Sequence, residues 1–303
     1  MHLDPGFGRG LLFGFGAYLI WGSFPLIIIM LAFASPLEIV TWRIVFGFLV
    51  AAALTSLTKS WPAIIGVLQD KNLMKWMTIA TFMIAVNWVV YVIGVASHQT
   101  IHASLGYFIN PLITILFAVV FLGERLRTPQ WIALAIGLVA VGVLTFDYGR
   151  PPWIALVLAV SFAIYSLAKN KVGGKIQATQ SFALESLLVI PIALAQLAFV
   201  ASSEHITLLD SSTKAFVLIG FGIMTAVPLI LFGAAASRIP LSTIGFIQYM
   251  TPILQFLTAF FILREPMPTV RWIGFGLVWL SLVVLTFDAI RNKRRALPVV
   301  DQG

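Results

Sequence analysis

Apolar runs of membrane length follow one another along almost the whole chain, with polar residues gathered in the short gaps between them. Ten can be drawn: 11–32, 36–57, 74–96, 101–122, 129–147, 152–169, 179–200, 214–236, 241–263 and 270–288. A helix rises about 1.5 Å per residue, so roughly 20 apolar residues cross a hydrocarbon core of about 30 Å. Each run therefore predicts a transmembrane helix. The longest connections, near 58–73 and 201–213, leave no room for a water-soluble domain. The first run ends in Ala32-Phe33-Ala34, which looks like a signal-peptidase site. It exceeds the roughly 7–15 residues of a signal core and only Arg9 precedes it, so an uncleaved helix is expected.

The fourth run opens with Ser104-Leu105-Gly106-Tyr107-Phe108-Ile109-Asn110-Pro111. Proline removes one backbone donor and clashes with the carbonyl four residues back, so a kink or opening is expected near Ile109 and Asn110. In hydrocarbon such a break survives only where neighbouring helices or a water-lined cavity satisfy the freed groups. The same design returns 141 positions later. That shift lays Pro111 on Pro252, Ala118 on Ala259, Leu122 on Leu263, Glu124 on Glu265, Thr128 on Thr269 and Trp131 on Trp272. It also lays Leu144-Thr145-Phe146-Asp147 on Leu285-Thr286-Phe287-Asp288, with no gap. Chance likeness between apolar helices would not keep the polar positions in register, so the chain is internally duplicated. Interrupted helices at matching positions of two halves point to a solute site, with Pro111 and Pro252 as its hinges.

Composition agrees with this picture. Only 10% of the 303 residues are charged and 60% are hydrophobic, against roughly a quarter charged in soluble proteins. The absence of cysteine excludes disulfides, thiolate metal sites and cysteine nucleophiles. The net charge of +8 does not mark a nucleic-acid surface, because its distribution follows the loops. With the N-terminus in the cytoplasm, fourteen basic residues fall inside and four (Arg150, Lys214, Arg264 and Arg271) outside, while Arg43 lies within a helix. The positive-inside rule thus places both termini in the cytoplasm, the tail acting as an anchor on an anionic leaflet. Five helices per half is an odd number, so the second half enters the bilayer upside down and Glu124 and Glu265 lie on opposite faces. Such folds bind solute near the midplane and rock between two open states.

Local signals fit the plan. Ser35-Pro36-Leu37-Glu38 is a capping box with proline at the first helical position, Pro151-Pro152 starts the sixth helix, and Ser242 can cap the ninth. Ala133 with Gly137, and Gly274 with Gly276, offer small faces for close helix packing.

Trp21-Gly22 with Pro25 resembles the drug/metabolite transporter superfamily, in the form built from two EamA repeats. Asn87-Trp88-Val89-Val90-Tyr91, followed by Ser104 to Leu112, is similar to the RarD-type subfamily. So are Thr225-Ala226-Val227-Pro228-Leu229 and the stretch from Pro240 to Tyr249. The resemblance runs from about Gly10 to Asp288. It implies a ten-helix carrier of the bacterial inner membrane, with a central cavity lined largely by the third, fourth, eighth and ninth helices. Members move metabolites such as amino acids, nucleotide sugars and amphipathic drugs, and RarD-type proteins usually carry a chloramphenicol-sensitivity or permease label, which fixes no substrate here. On this reading 1–150 is the first EamA repeat, 151–290 the second, and 291–303 a basic cytoplasmic tail.

Individual residues then divide between solute chemistry and bundle chemistry. Arg43 and Glu185 are the ionisable groups deepest in apolar runs, where a charge costs on the order of 2.5–3.5 kcal/mol on insertion scales. Each lies about seven residues from its helix start on opposite faces, so a direct ion pair needs tilt or bending. Arg43 is a candidate for an anionic group of the solute and Glu185 for proton coupling or gating; alternatively each braces the bundle. Asn87, Trp88 and Tyr91 share a face, supplying one oriented amide and flat apolar walls for an amphipathic solute, or a helix–helix bond through Asn87. Tyr107, Asn110, Gln248, Tyr249 and Gln255 surround the two interrupted helices. Gln248 and Gln255, seven apart, can share one face. They either face the cavity or satisfy the proline breaks. Trp21 lines the cavity or packs. His98 and His102 have the spacing of a metal pair but no third ligand, so a solvated turn is favoured, with His102 a weaker candidate for an outer proton site. Glu124, Glu265, Asp147 and Asp288 read as structural charges at helix ends.

The expectation is an all-α polytopic membrane protein of ten transmembrane helices in two inverted repeats, a secondary transporter of a small amphipathic solute. Its partners are that solute and the bilayer, with protons a candidate, and it needs no cofactor, metal or nucleic acid. No hydrolase elbow, phosphate loop or dinucleotide fingerprint is present. Rival readings are a membrane enzyme acting on a lipid-linked substrate, and a channel or scaffold. The former needs a polar cluster at one interface and an ion pore needs a charged or carbonyl filter. The sequence favours no oligomeric state.

Overall fold

The computed structural model describes residues 5–123, 125–172, 175–203, 205–236, 238–239 and 247–296. Glu124, Ser242 and most of the Pro240–Tyr249 motif lie outside them. The helices of the described residues follow in order: α1 (Pro5–Met30), α2 (Pro36–Leu57), α3 (Trp61–Gln69), α4 (Lys71–Ala96), α5 (Thr100–Leu122), α6 (Thr128–Tyr148), α7 (Trp153–Val172), α8 (Ala178–Ser203), α9 (Ser212–Ala236), α10 (Met250–Leu257) and α11 (Thr269–Ala296). A π-helical turn over Thr258–Ile262 extends α10. Among the described residues there is no strand. Among the described residues, eight helices are long and apolar enough to cross a membrane, and two further apolar stretches, Trp153–Lys169 and Met250–Ile262, are shorter. Large apolar side chains point outward, with Phe146 at 87% and its repeat mate Phe287 at 66% exposure, so lipid is the solvent of this surface.

Helix ends follow their capping chemistry. The Ser35 hydroxyl accepts from the Glu38 amide, as the capping box predicts, with Pro36 opening α2. The Glu38 carboxylate does not turn back to Ser35. It reaches across to the connection between α8 and α9, accepting from Thr207 N at 2.9 Å and Leu208 N at 3.2 Å, and from Trp42 Nε1. Asp70 caps α4 through Asn72 N and Leu73 N. The stretch 58–73 is more than a connection: α3 occupies it, turning Ile64 and Val67 inward, and is too short to register as a span.

Packing obeys a simple exchange. α6 lies on α11, α2 on α8 and α9, α1 on α9 and α10, α4 on α7 and α8, and α5 on α7. Swapping α1, α2, α4, α5 and α6 for α7, α8, α9, α10 and α11 turns α5–α7 into α10–α1, α4–α7 into α9–α1, and α2–α9 into α8–α4. The larger contacts map onto one another. Asp147, at the end of α6, accepts from Arg271 Nε at 3.2 Å in the first turn of α11. Asp288, towards the end of α11, accepts from Arg127 Nε at 3.0 Å just before α6. A start-to-end pair at both extremities means that α6 and α11 run antiparallel.

Close approaches occur where side chains vanish. A Cβ on Gly106 would stand 2.7 Å from the Ala155 carbonyl of α7, and one on Gly22 2.6 Å from Leu254 of α10. Gly274 presses on Leu144 of α6, whereas Gly276 faces open space and is not part of that contact. The two proline steps differ. α5 runs on through Pro111 as regular helix, while Pro252 sits in the first turn of α10 after a turn at Gln248 and Tyr249. There its missing donor is one that no helix would use. The π turn then closes with Leu263 N donating to Thr258 O at 2.9 Å.

Candidate solute-binding site

Arg43, on α2, is 4% exposed and sits where both halves of the chain converge. Its guanidinium carbon lies 4.5 Å from the centre of the Trp88 ring of α4, 5.4 Å from Phe24 of α1 and 5.6 Å from Phe221 of α9. Each aromatic face contributes about 0.5–2 kcal/mol towards holding a desolvated cation. Nε donates to Thr225 Oγ1 at 3.1 Å, and that hydroxyl passes its own hydrogen to the Phe221 carbonyl. Thr225 is thus oriented to offer a lone pair to the arginine. Among the described residues, no carboxylate lies within ion-pair distance of Arg43.

Beside this cage runs a polar seam. Asn87, buried on α4, donates through Nδ2 to Leu158 O at 3.1 Å and Ser161 Oγ at 3.0 Å on α7, and its Oδ1 accepts from Tyr107 of α5 at 3.0 Å. The amide is fully engaged as a three-helix tie. Tyr91 packs its ring 5.8 Å from that of Tyr107, and among the described residues its buried hydroxyl has no hydrogen-bond partner. The side-chain oxygen of Gln255, on α10, is likewise unpaired, although Tyr91 is its near neighbour. Gln255 Nε2 reaches the Trp21 carbonyl at 3.4 Å.

The remaining candidates lie apart from this cluster, except Trp21, which borders it through the bond from Gln255 to its carbonyl. Glu185 accepts from Lys169 Nζ at 2.7 Å and from Ser181 Oγ at 3.2 Å, with Tyr165 at 3.5 Å, so its cation is Lys169 and not Arg43. Trp21 packs against Tyr18 and Phe232. Asn110 donates to the Ala159 carbonyl of α7 at 3.0 Å. His102 packs against Tyr148 with ring centres 4.2 Å apart and planes tilted by 41°, and Arg271 lies over the same ring. Gln248 is exposed in the turn before α10 while Gln255 is buried, so the two do not share a face. Tyr249 lines a cavity of about 500 Å³ between α5, α10 and α11, walled by Phe108, Phe256, Trp279 and Leu282. Sequence reading did not single out Phe24, Phe221, Thr225 or Lys169 as site residues. Only Thr225 carried a signal, as the first residue of the Thr225–Leu229 motif.

The profile of the EamA-like transporter family matches residues 8–146 and again 151–287. The chain belongs to that family. It is of the RarD type: it is 42% identical to Protein RarD of Streptomyces exfoliatus, over 95% of this chain and 91% of that protein. It is 35% identical to Protein RarD of Escherichia coli strain K12, over 95% and 97% of the two chains. It is 33% identical to an uncharacterized transporter of Vibrio cholerae, over 95% of each. A crystal structure with 19% identity superposes with a TM-score of 0.59 over 94% of this chain and 98% of that one, and so shares the fold. This EamA protein is therefore a membrane transporter, multi-pass in the bacterial inner membrane.

Proposed function

We propose that this EamA protein is a secondary transporter that moves a small amphipathic solute by alternating access. Ten helices, counting the shorter α7 and α10 as spans, form two inverted repeats of five, residues 1–150 and 151–290, followed by a tail over 291–303. Both termini are cytoplasmic. The observation that carries this reading is the composition of the polar cluster. Arg43, Asn87, Tyr91 and Tyr107 come from one repeat and Thr225 and Gln255 from the other, so relative motion of the repeats changes its access. Antiparallel α6 and α11 support the inversion.

Around that centre, Trp88 and Trp21 provide ring walls, and Asn110, Gln248 and Tyr249 flank the route. Pro111 and Pro252 act as unequal hinges, the second already opened by its turn. The Lys169–Glu185 pair serves as the inner gate and proton site, and His102 with Tyr148 closes the outer side. Three measurements test the scheme. Saturable flux of amphipathic solutes into proteoliposomes, with and without a pH gradient, supports the carrier; no flux over a broad panel sinks it. Glu185→Gln protein transporting normally at every pH would remove the coupling role. Because the chain has no cysteine, single cysteines at positions 124 and 264 can be labelled directly, and reaction from the same side would abolish the inversion.

A further inference from the structure

We propose that the solute is an organic anion whose carboxylate, or an equivalent oxyanion, pairs with Arg43; this rests on the carrier reading and narrows it. A guanidinium carries five N–H donors, and here one hydrogen bond, to Thr225, is made. The aromatic faces of Trp88, Phe24 and Phe221 offset charge but accept hydrogen bonds poorly. A bundle brace normally ends on a carboxylate, since burying a lone cation in hydrocarbon is costly. The chain does supply a buried carboxylate, Glu185, and gives it to Lys169 instead.

Two more vacancies in the hydrogen bonding stand in the same place. The Tyr91 hydroxyl and the Gln255 oxygen are both sealed from solvent and both unpaired, and Tyr91 lies close enough to feel the charge of Arg43. Two buried groups without a hydrogen-bond partner among the described residues, from α4 and α10, therefore stand beside a guanidinium of α2 that uses one of its five donors. An anion meets the donors of Arg43 and Tyr91. Its oxygens accept from the terminal guanidinium nitrogens and from Tyr91, a neighbouring donor on the solute satisfies Gln255, and a flat apolar body lies along Trp88. Bidentate pairing with an oxyanion is what arginine geometry favours.

The test uses full-length protein in an uncharged detergent with three probes: 3-phenylpropionate, benzenesulfonate and the neutral 3-phenylpropionamide. Binding is read as a saturable rise in melting temperature and as quenching of tryptophan fluorescence. Both anions should bind, and the amide at least about ten-fold more weakly. Arg43→Gln should cut anion affinity about ten-fold or more and that of the amide by less, and Tyr91→Phe should cut anion affinity about three- to ten-fold. Equal binding of amide and anion, no binding by either anion, or undiminished anion binding by monodisperse Arg43→Gln protein each overturns the proposal. If Arg43→Gln fails to fold, the wild-type comparison of anion with amide and the Tyr91→Phe titration decide. A phosphatidylglycerol arm separates the sources of anion: protection by that lipid alone would assign the site to a headgroup and overturn the solute reading. Saturable flux of neutral solutes without anion binding would leave the carrier standing and remove its anionic substrate.

Discussion

Asn87 shows how one amide can join three helices. Its two donors end on α7 and its oxygen takes the Tyr107 hydroxyl of α5, leaving little of its bonding capacity for anything else. Asn87→Ala should therefore lower stability by about 1–2 kcal/mol and Tyr107→Phe by about 0.6, read from melting in detergent. Lys169 poses the complementary case. Removing it leaves the Glu185 carboxylate buried among Ser181 and Tyr165, so Lys169→Met should cost about 1–3 kcal/mol. Adding Glu185→Gln to that variant should recover part of the loss, and a double mutant more damaged than the single would refute the pairing. Polar groups inside apolar runs are easy to see in a sequence, which is why Arg43, Asn87 and Glu185 stood out. Their partners are not. Phe24 and Phe221 are two of 24 phenylalanines, and no spacing says which of them faces a guanidinium. Lys169 counted as a loop cation because only the fold turns it back along α7.

Between helices, the decisive contacts are absences of side chain. α5 can lie against α7 because Gly106 brings backbone to backbone, and a Cβ there has no flexible neighbour to push aside. Gly106→Val should cost about 1–3 kcal/mol through overpacking, whereas Gly276→Ala, pointing into open space, should stay within about 0.5. Comparable melting temperatures for the two variants would refute this account. The proline steps give a second contrast. Pro111 withholds a donor from a running helix, so Pro111→Ala should stabilise the protein and, as a hinge, slow its turnover in the flux assay. Pro252→Ala should change stability by no more than about 0.5 kcal/mol, since a helix start has donors to spare. Spans were legible from length alone. The difference between the prolines was not, because it depends on what lies beside each: Asn110 anchors α5 to α7, while α10 begins afresh after its turn.

At the scale of the whole chain, the shift of 141 positions foretold the duplication, and the family profile matches twice in succession. Parity of the helices argued for inversion. The crossed Asp147–Arg271 and Asp288–Arg127 contacts could not be read the same way, since the arginines are not repeat mates and only the acids align under the shift. Reversing one charge, as in Arg271→Glu, should impair folding or flux, and Asp147→Arg in the same protein should restore part of it. Failure of that rescue would count against the pair. These two clasps also limit how the molecule can work. A rod tied to its neighbour near both tips resists sliding along it and scissoring away from it. On the proposed cycle, α6 and α11 are expected to stay paired while other helices move. Spin labels on this pair should report one unchanging distance, with or without solute, and so provide the fixed ruler against which every moving helix can be measured.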